Sequence, residues 1–195
     1  MAALNSKTAV IFIDFINEII HPDGKLSGKG YVEFAKAHGS LENLKQFLDK
    51  VRQSDAMVIH VRVAFRSDYI DHPESSPLFG AARKFSALAQ NTWGTEFVEA
   101  LKPINSEVTI TKNRINAFFS TDLDTVLRAN EIKDLLICGV ATDLAVEATA
   151  RDAHDRDYCV AVVNDCCIAA NDEDHDKTIG TLSKLSEIQA STEIR

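Results

Sequence analysis

Residues 134–167, DLLICGVATDLAVEATARDAHDRDYCVAVVNDCC, decide how this chain folds. The run Leu135, Leu136, Ile137 and Cys138 is too short for a helix and has polar flanks, so it reads as a buried strand. Gly139, Val140, Ala141 and Thr142 break that pattern and open a helix of small residues. In this helix Ala145, Val146, Thr149 and Ala153 share one face, while Glu147, Arg151 and Asp155 point elsewhere. A second apolar strand covers residues 158–163 and ends in Asn164 and Asp165. Strand, turn, helix, strand is a βαβ unit, which joins parallel strands by a right-handed crossover. Ligands of such sheets bind beyond the carboxyl ends of the strands, which here means the turn at residues 140–142.

The same pattern extends toward the amino terminus. Thr8 to Ile13, TAVIFI, is a continuous apolar strand that ends in Asp14. A carboxylate directly after a buried strand is costly unless it is paired, so Asp14 is a candidate for chemistry rather than a simple turn cap. Residues 15–30, with Pro22, Gly24, Gly28 and Gly30, form a partly irregular segment on the same rim. Ser40 is placed to cap a helix whose stripe Leu41, Leu44, Phe47, Leu48 and Val51 is packing. Residues 56–63 give the second strand, in which His60 and Arg62 share one face and His60 reads as a structural histidine. Residues 64–95 lack periodicity, as expected of a lid or a contact surface. Asp71 and His72 lie there without a third ligand at useful spacing, so no metal is expected. Residues 107–111 form the third strand with Lys112 at its carboxyl end, followed by a helix capped from Thr121 or Asp122. A last helix over residues 172–185 and a short edge strand over 186–190 complete six strands. The expected fold is a three-layer α/β/α, Rossmann-like domain spanning the chain, with a mostly parallel doubly wound sheet.

Composition excludes several classes of function. A net charge of −8 disfavours a nucleic-acid backbone as partner, because that surface requires clustered cations. Four cysteines without CxxC spacing fit a reducing cytoplasm, and no zinc pattern is present. No secretory signal or membrane-length apolar run is visible, so a cytoplasmic protein without membrane contact is expected. The turn after the first strand lacks a glycine-rich phosphate fingerprint, so no nucleotide cofactor is implied.

Together TAVIFIDFINEI, TKNRINAFFSTDLDTVL, LLICGVATDLAVEATARDA and YCVAVVNDCC make the chain resemble the isochorismatase-like hydrolases, also called the cysteine hydrolase superfamily. The resemblance covers nearly the whole chain in the right order. It implies a hydrolase acting on a small molecule, usually as a dimer or tetramer. It also implies a site made from an Asp after the first strand, a Lys after the third and a Cys at the start of the central helix. Asp14 and Lys112 stand at the first two positions, but Ala145 stands where the cysteine is expected. In the usual triad a thiol at a helix N-terminus beside a cation becomes a thiolate nucleophile. The Asp serves as base and then acid, and backbone N–H groups of the turn hold the oxyanion. The resemblance further implies a cis bond between Val140 and Ala141. The implied substrate pocket lies between the Asp14 loop, the lid near Trp93 and the Phe118–Phe119 segment, with Phe15, Trp93 and Phe118 as walls and Val140, Ala141 and Thr142 as the turn.

Ala145 leaves three functions open. One is an amidase of the cysteine type whose nucleophile has been replaced by alanine, which would trap a ligand. A second is a thiol-free hydrolase with Asp14 as general acid, as in vinyl-ether cleavage. The third is a catalytically silent small-molecule binder. The letters around Ala145 favour the first. Cys138 and Cys159 are expected to be buried in strands, and Cys166 and Cys167 are expected to pack as small hydrophobes.

Overall fold

A computed structural model describes residues 3–195. Six strands form one sheet: β1 Thr8–Ile13, β2 Met57–Val63, β3 Val108–Lys112, β4 Asp134–Gly139, β5 Cys159–Val163 and β6 Glu187–Gln189. Their order is β3-β2-β1-β4-β5-β6, and every pairing is parallel, so the sheet is more uniform than expected. All six residues of β1 are buried, which explains an apolar run with no alternation. The strand order reverses between β1 and β4. Right-handed crossovers therefore send the connections on either side of that boundary to opposite faces, as a doubly wound sheet requires.

The helices are α1 Asn17–Ile20, α2 Tyr31–Ala37, α3 Ser40–Arg52, α4 Ala82–Phe85, α5 Leu123–Ala129, α6 Glu147–Asp155 and α7 Asp172–Leu182. In α3 the side chains of Leu44, Phe47, Leu48 and Val51 are buried, and Phe47 lies 6.0 Å from Phe12 of β1 between ring centroids. Ser40 does not cap α3. Gly39 holds that position with φ of 63°, and Ser40 is buried in the first turn. Helix α2 falls in a stretch where the sequence shows no periodic signal. Helix α7 ends three residues earlier than expected. Its start is capped by Asn171, whose side chain accepts the Asp174 N–H at 2.9 Å.

Two sequence expectations find specific explanations. His60 is fully buried, packs 5.6 Å from Phe12 and meets Glu107 Oε2 at 2.9 Å, and Arg52 holds both oxygens of the same carboxylate. It is a structural residue. Cys159 is exposed, contrary to expectation, because it opens β5 at the amino edge of the sheet, whereas Cys138, Cys166 and Cys167 are buried.

Candidate active site

Asp14 and the turn after β4 meet where the strand order reverses. Ile13 pairs with Gly139 and Val63 with Lys112, so Asp14, Lys112 and Val140 all emerge at the carboxyl rim of neighbouring strands. Asp14 adopts a left-handed backbone, φ 61°, and is 3% exposed. Lys112 is equally buried and donates from Nζ to Asp14 Oδ2 at 2.7 Å, to Arg114 O at 3.1 Å and to Ile115 O at 3.0 Å. The ammonium therefore has three acceptors. Asp14 Oδ1 has no hydrogen-bond partner. Burial raises the Asp14 pKa above the usual carboxylate value, and the Lys112 charge opposes that effect without cancelling it.

The third position is built by the turn. The Val140–Ala141 peptide bond is cis. Residues Thr142–Val146 then form a π-helical turn before α6 begins. Ala145, in this turn, is 3% exposed. Gly139 has no room for a side chain, since a Cβ there would stand 2.7 Å from Ile13 Cβ and 2.9 Å from Ile13 O. Thr142 N–H donates to Ile168 O at 2.9 Å, and its hydroxyl meets His175 Nδ1 at 3.0 Å. His175 Nε2 faces Asn164 Oδ1 at 2.9 Å. A carbonyl oxygen only accepts, so Nε2 carries the proton and Nδ1 accepts from Thr142. Burial lowers the His175 pKa and keeps the ring neutral, as this arrangement needs.

Asp14, Lys112, Val140, Ala141 and Ala145 line one cavity of about 640 Å³. The Ala141 N–H has no acceptor among the described residues. The walls are largely apolar, and the lid contributes much of them through Leu78, Phe79, Phe85 and Leu88. The loop of residues 15–30 adds Ile19, Lys25, Leu26 and Lys29, and Tyr31 opens α2 beside them.

The expected aromatic walls lie elsewhere. The left-handed turn at Asp14 sends Phe15 into the core, where it is 1% exposed and packs on Phe12. Trp93 sits outside the cavity with its ring edge-on to His21 at 5.0 Å. Phe118 is carried away because the chain after Ile115 docks on α6: Ala117 N–H donates to Thr149 Oγ1 at 3.1 Å, and Asn116 Nδ2 to Asp152 Oδ2 at 2.8 Å. Phe118 then stacks on Tyr158, with Arg156 over its ring at 4.9 Å. Thr142 supports the turn from behind rather than lining the cavity. Tyr31, Phe79 and Phe85 are the aromatic walls instead. The lid's length pointed to the segment of Phe79 and Phe85, and nothing in the sequence pointed to Tyr31.

No described cysteine lines the cavity. Burial pushes the Cys167 thiol up to about 12 and raises those of Cys138 and Cys166 as well, which keeps them protonated and unreactive. Asp71 and His72 hold the lid together. Asp71 Oδ1 accepts the Arg66 N–H at 3.0 Å, and His72 Nδ1 approaches Tyr69 O at 3.1 Å.

Residues 8–193 match the Isochorismatase domain family. The ureidoacrylate amidohydrolase RutB of Rhizobium rhizogenes (strain K84) is 30% identical over 172 residues, 82% of this chain and 70% of that protein. The crystal structure of a cysteine hydrolase from Pseudomonas syringae pv. phaseolicola 1448A superposes with a TM-score of 0.84 at 27% identity, covering 96% of this chain and 90% of that one. An isochorismatase family protein from Desulfovibrio vulgaris superposes with a TM-score of 0.85 at 27% identity, covering 96% of both chains. With a family match over residues 8–193, the chain is a member of the isochorismatase family of hydrolases.

Proposed function

We propose that the cavity is a C–N hydrolase site of the cysteine hydrolase type, with Ala145 at the position of the nucleophile. The observation that carries this reading is the shared cavity: a buried Asp14–Lys112 pair, a turn with an unpaired Ala141 N–H and the Ala145 methyl all line it. The similarity to an amidohydrolase over most of the chain supports the same chemistry. The substrate's amide or ureido carbonyl would lie over Ala145 with its oxygen toward the Ala141 N–H, and its leaving nitrogen would face Asp14 Oδ1. A thiol at residue 145 would attack that carbon while Asp14 takes the thiol proton and returns it to the departing nitrogen. Lys112 would keep Asp14 oriented. Alanine removes the attacking atom, and the buried cysteines do not replace it.

One observation favours a second reading, a thiol-free hydrolase. Asp14 has an unpaired oxygen and a raised pKa, as a general acid requires. Protonated Asp14 would then protonate the double-bond carbon of a vinyl ether, water would add to the resulting oxocarbenium carbon and return a proton to Asp14, and the hemiacetal would collapse with C–O cleavage to an alcohol and a carbonyl product.

Steady-state kinetics on small amides, ureido compounds and vinyl ethers separate the two readings, using the unmodified chain and Ala145→Cys. C–N turnover that appears only in Ala145→Cys supports the first reading. Vinyl-ether turnover by the unmodified chain, unimproved by the thiol, removes it in favour of the second.

A further inference from the structure

The cavity has a charge pattern opposite to that of the whole molecule. The chain carries a net charge of −8, yet the charged residues lining the cavity are three lysines and one aspartate. Lys112 and Asp14 neutralise each other in the interior. The two remaining cations, Lys25 and Lys29, come from the loop at the mouth. Lys25 Nζ donates to Ser86 O at 2.6 Å, so it ties this loop to the lid beside Phe85 through a neutral acceptor and keeps its charge. The Lys29 side chain has no protein partner among the described residues. Glu18, Asp143 and Asp174 lie on this side of the molecule, Glu18 bonded to backbone N–H groups and the two aspartates acting on Tyr31, and none of them lines the cavity.

The loop that presents Lys29 is fixed in place. Lys29 ends a short helical turn, Ser27–Lys29, and Gly30 follows with φ of 93°. A Cβ on Gly30 would stand 2.3 Å from Ala170 O, so the loop lies directly on the Ala170 backbone. On the other side, Glu18 accepts the Lys25 N–H at 3.3 Å and the Leu88 N–H at 3.4 Å. The mouth is thus a built frame with a free ammonium on its edge, apolar and aromatic walls behind it and the Asp14–Lys112 pair at the bottom.

We propose that this hydrolase takes substrates bearing a carboxylate, held at the cavity mouth by Lys29 as the specificity-determining residue, with an apolar body against Tyr31, Phe79 and Phe85. One free ammonium suits a single carboxylate, whereas a phosphate dianion takes several donors. The placement orients the substrate, because the anionic end at the mouth leaves the opposite end for Asp14. The inference rests on the reading of this cavity as the substrate site but not on the bond that is cleaved there.

The test is binding, which needs no nucleophile. N-acetyl-, N-benzoyl- and N-carbamoylglycine are each paired with their methyl esters, and the Kd of every compound is measured by calorimetry for the unmodified chain and Lys29→Gln. A single charge-assisted contact from the exposed Lys29 predicts that at least one acid binds about fivefold more tightly than its ester. In Lys29→Gln the acid and ester should come within about twofold, with the ester unchanged, a loss of about the same size as that one contact. Equal binding of acid and ester, no saturable binding of any acid, or a preference that survives Lys29→Gln would each overturn the proposal. Acid-selective binding without C–N turnover in Ala145→Cys would leave it standing and remove the amidase reading. C–N turnover in Ala145→Cys with esters used as well as acids would do the reverse.

Discussion

At the scale of single residues, the account turns on Asp14 and Lys112. In an active form of the chain, Asp14→Asn removes the group proposed to move the proton, and turnover should fall by at least about a hundredfold. The fold should survive, because Lys112 Nζ keeps Arg114 O and Ile115 O as acceptors. Near-normal activity in that variant would remove Asp14 from the mechanism. Lys112→Ala should cost about two orders of magnitude or more in kcat, the scale of losing one charge-stabilising group. A change in solubility or stability alone would contradict this. Burial also gives Asp14 a thermodynamic signature. Its folded pKa lies above the usual carboxylate value of 3.8, so the stability it contributes is full below that value and is lost as pH rises through the folded pKa. Asp14→Asn should therefore gain melting temperature relative to the unmodified chain as pH rises above the usual carboxylate value. A difference that shrinks with rising pH would show that Lys112 outweighs burial.

At the scale of elements, the turn between β4 and α6 is held from behind by α7. Thr142→Val leaves His175 Nδ1 buried without its donor and should cost about 1–3 kcal/mol in denaturant unfolding. His175 has a folded pKa below the usual imidazole value of 6.5, so its contribution is present above that value and is lost as pH falls through the folded pKa. The melting temperature should fall on acidification through this window and fall less in His175→Gln, with buried His60 supplying the slope that remains. An unchanged slope would place His175 outside the linkage. These elements were legible to different degrees. β1, β4 and β5 are apolar runs bounded by polar residues, so periodicity and length identify them. Helix α2 was not visible because it is only seven residues long and follows an irregular segment, and the π winding of the turn was not visible because the distant partner His175 holds it.

At the scale of the whole molecule, the sequence placed Asp14, Lys112 and Ala145 at one rim because strand ends in a parallel sheet share an edge. It did not place the walls. Which side of a loop faces a cavity depends on contacts far apart in sequence, such as Ala117 with Thr149, which carries Phe118 away, and Glu18 with Leu88, which draws the lid in. Glu18 is 2% exposed and ties the loop of residues 15–30 to the lid, and a Cβ on Gly94 would stand 1.8 Å from its Oε2. Glu18→Ala should therefore loosen the mouth and raise KM more than it lowers kcat, because Glu18 does not line the cavity. A loss confined to kcat would contradict this role.

The central claim is that residue 145 is the position of acyl transfer. Intact-mass spectrometry of Ala145→Cys, mixed with a small amide or ureido substrate and quenched during turnover, tests it most directly. The expected result is a mass increase equal to the acyl portion, mapped to the new thiol and absent from the unmodified chain. A variant that hydrolyses the substrate with no adduct, at the same rate as the unmodified chain, would contradict it.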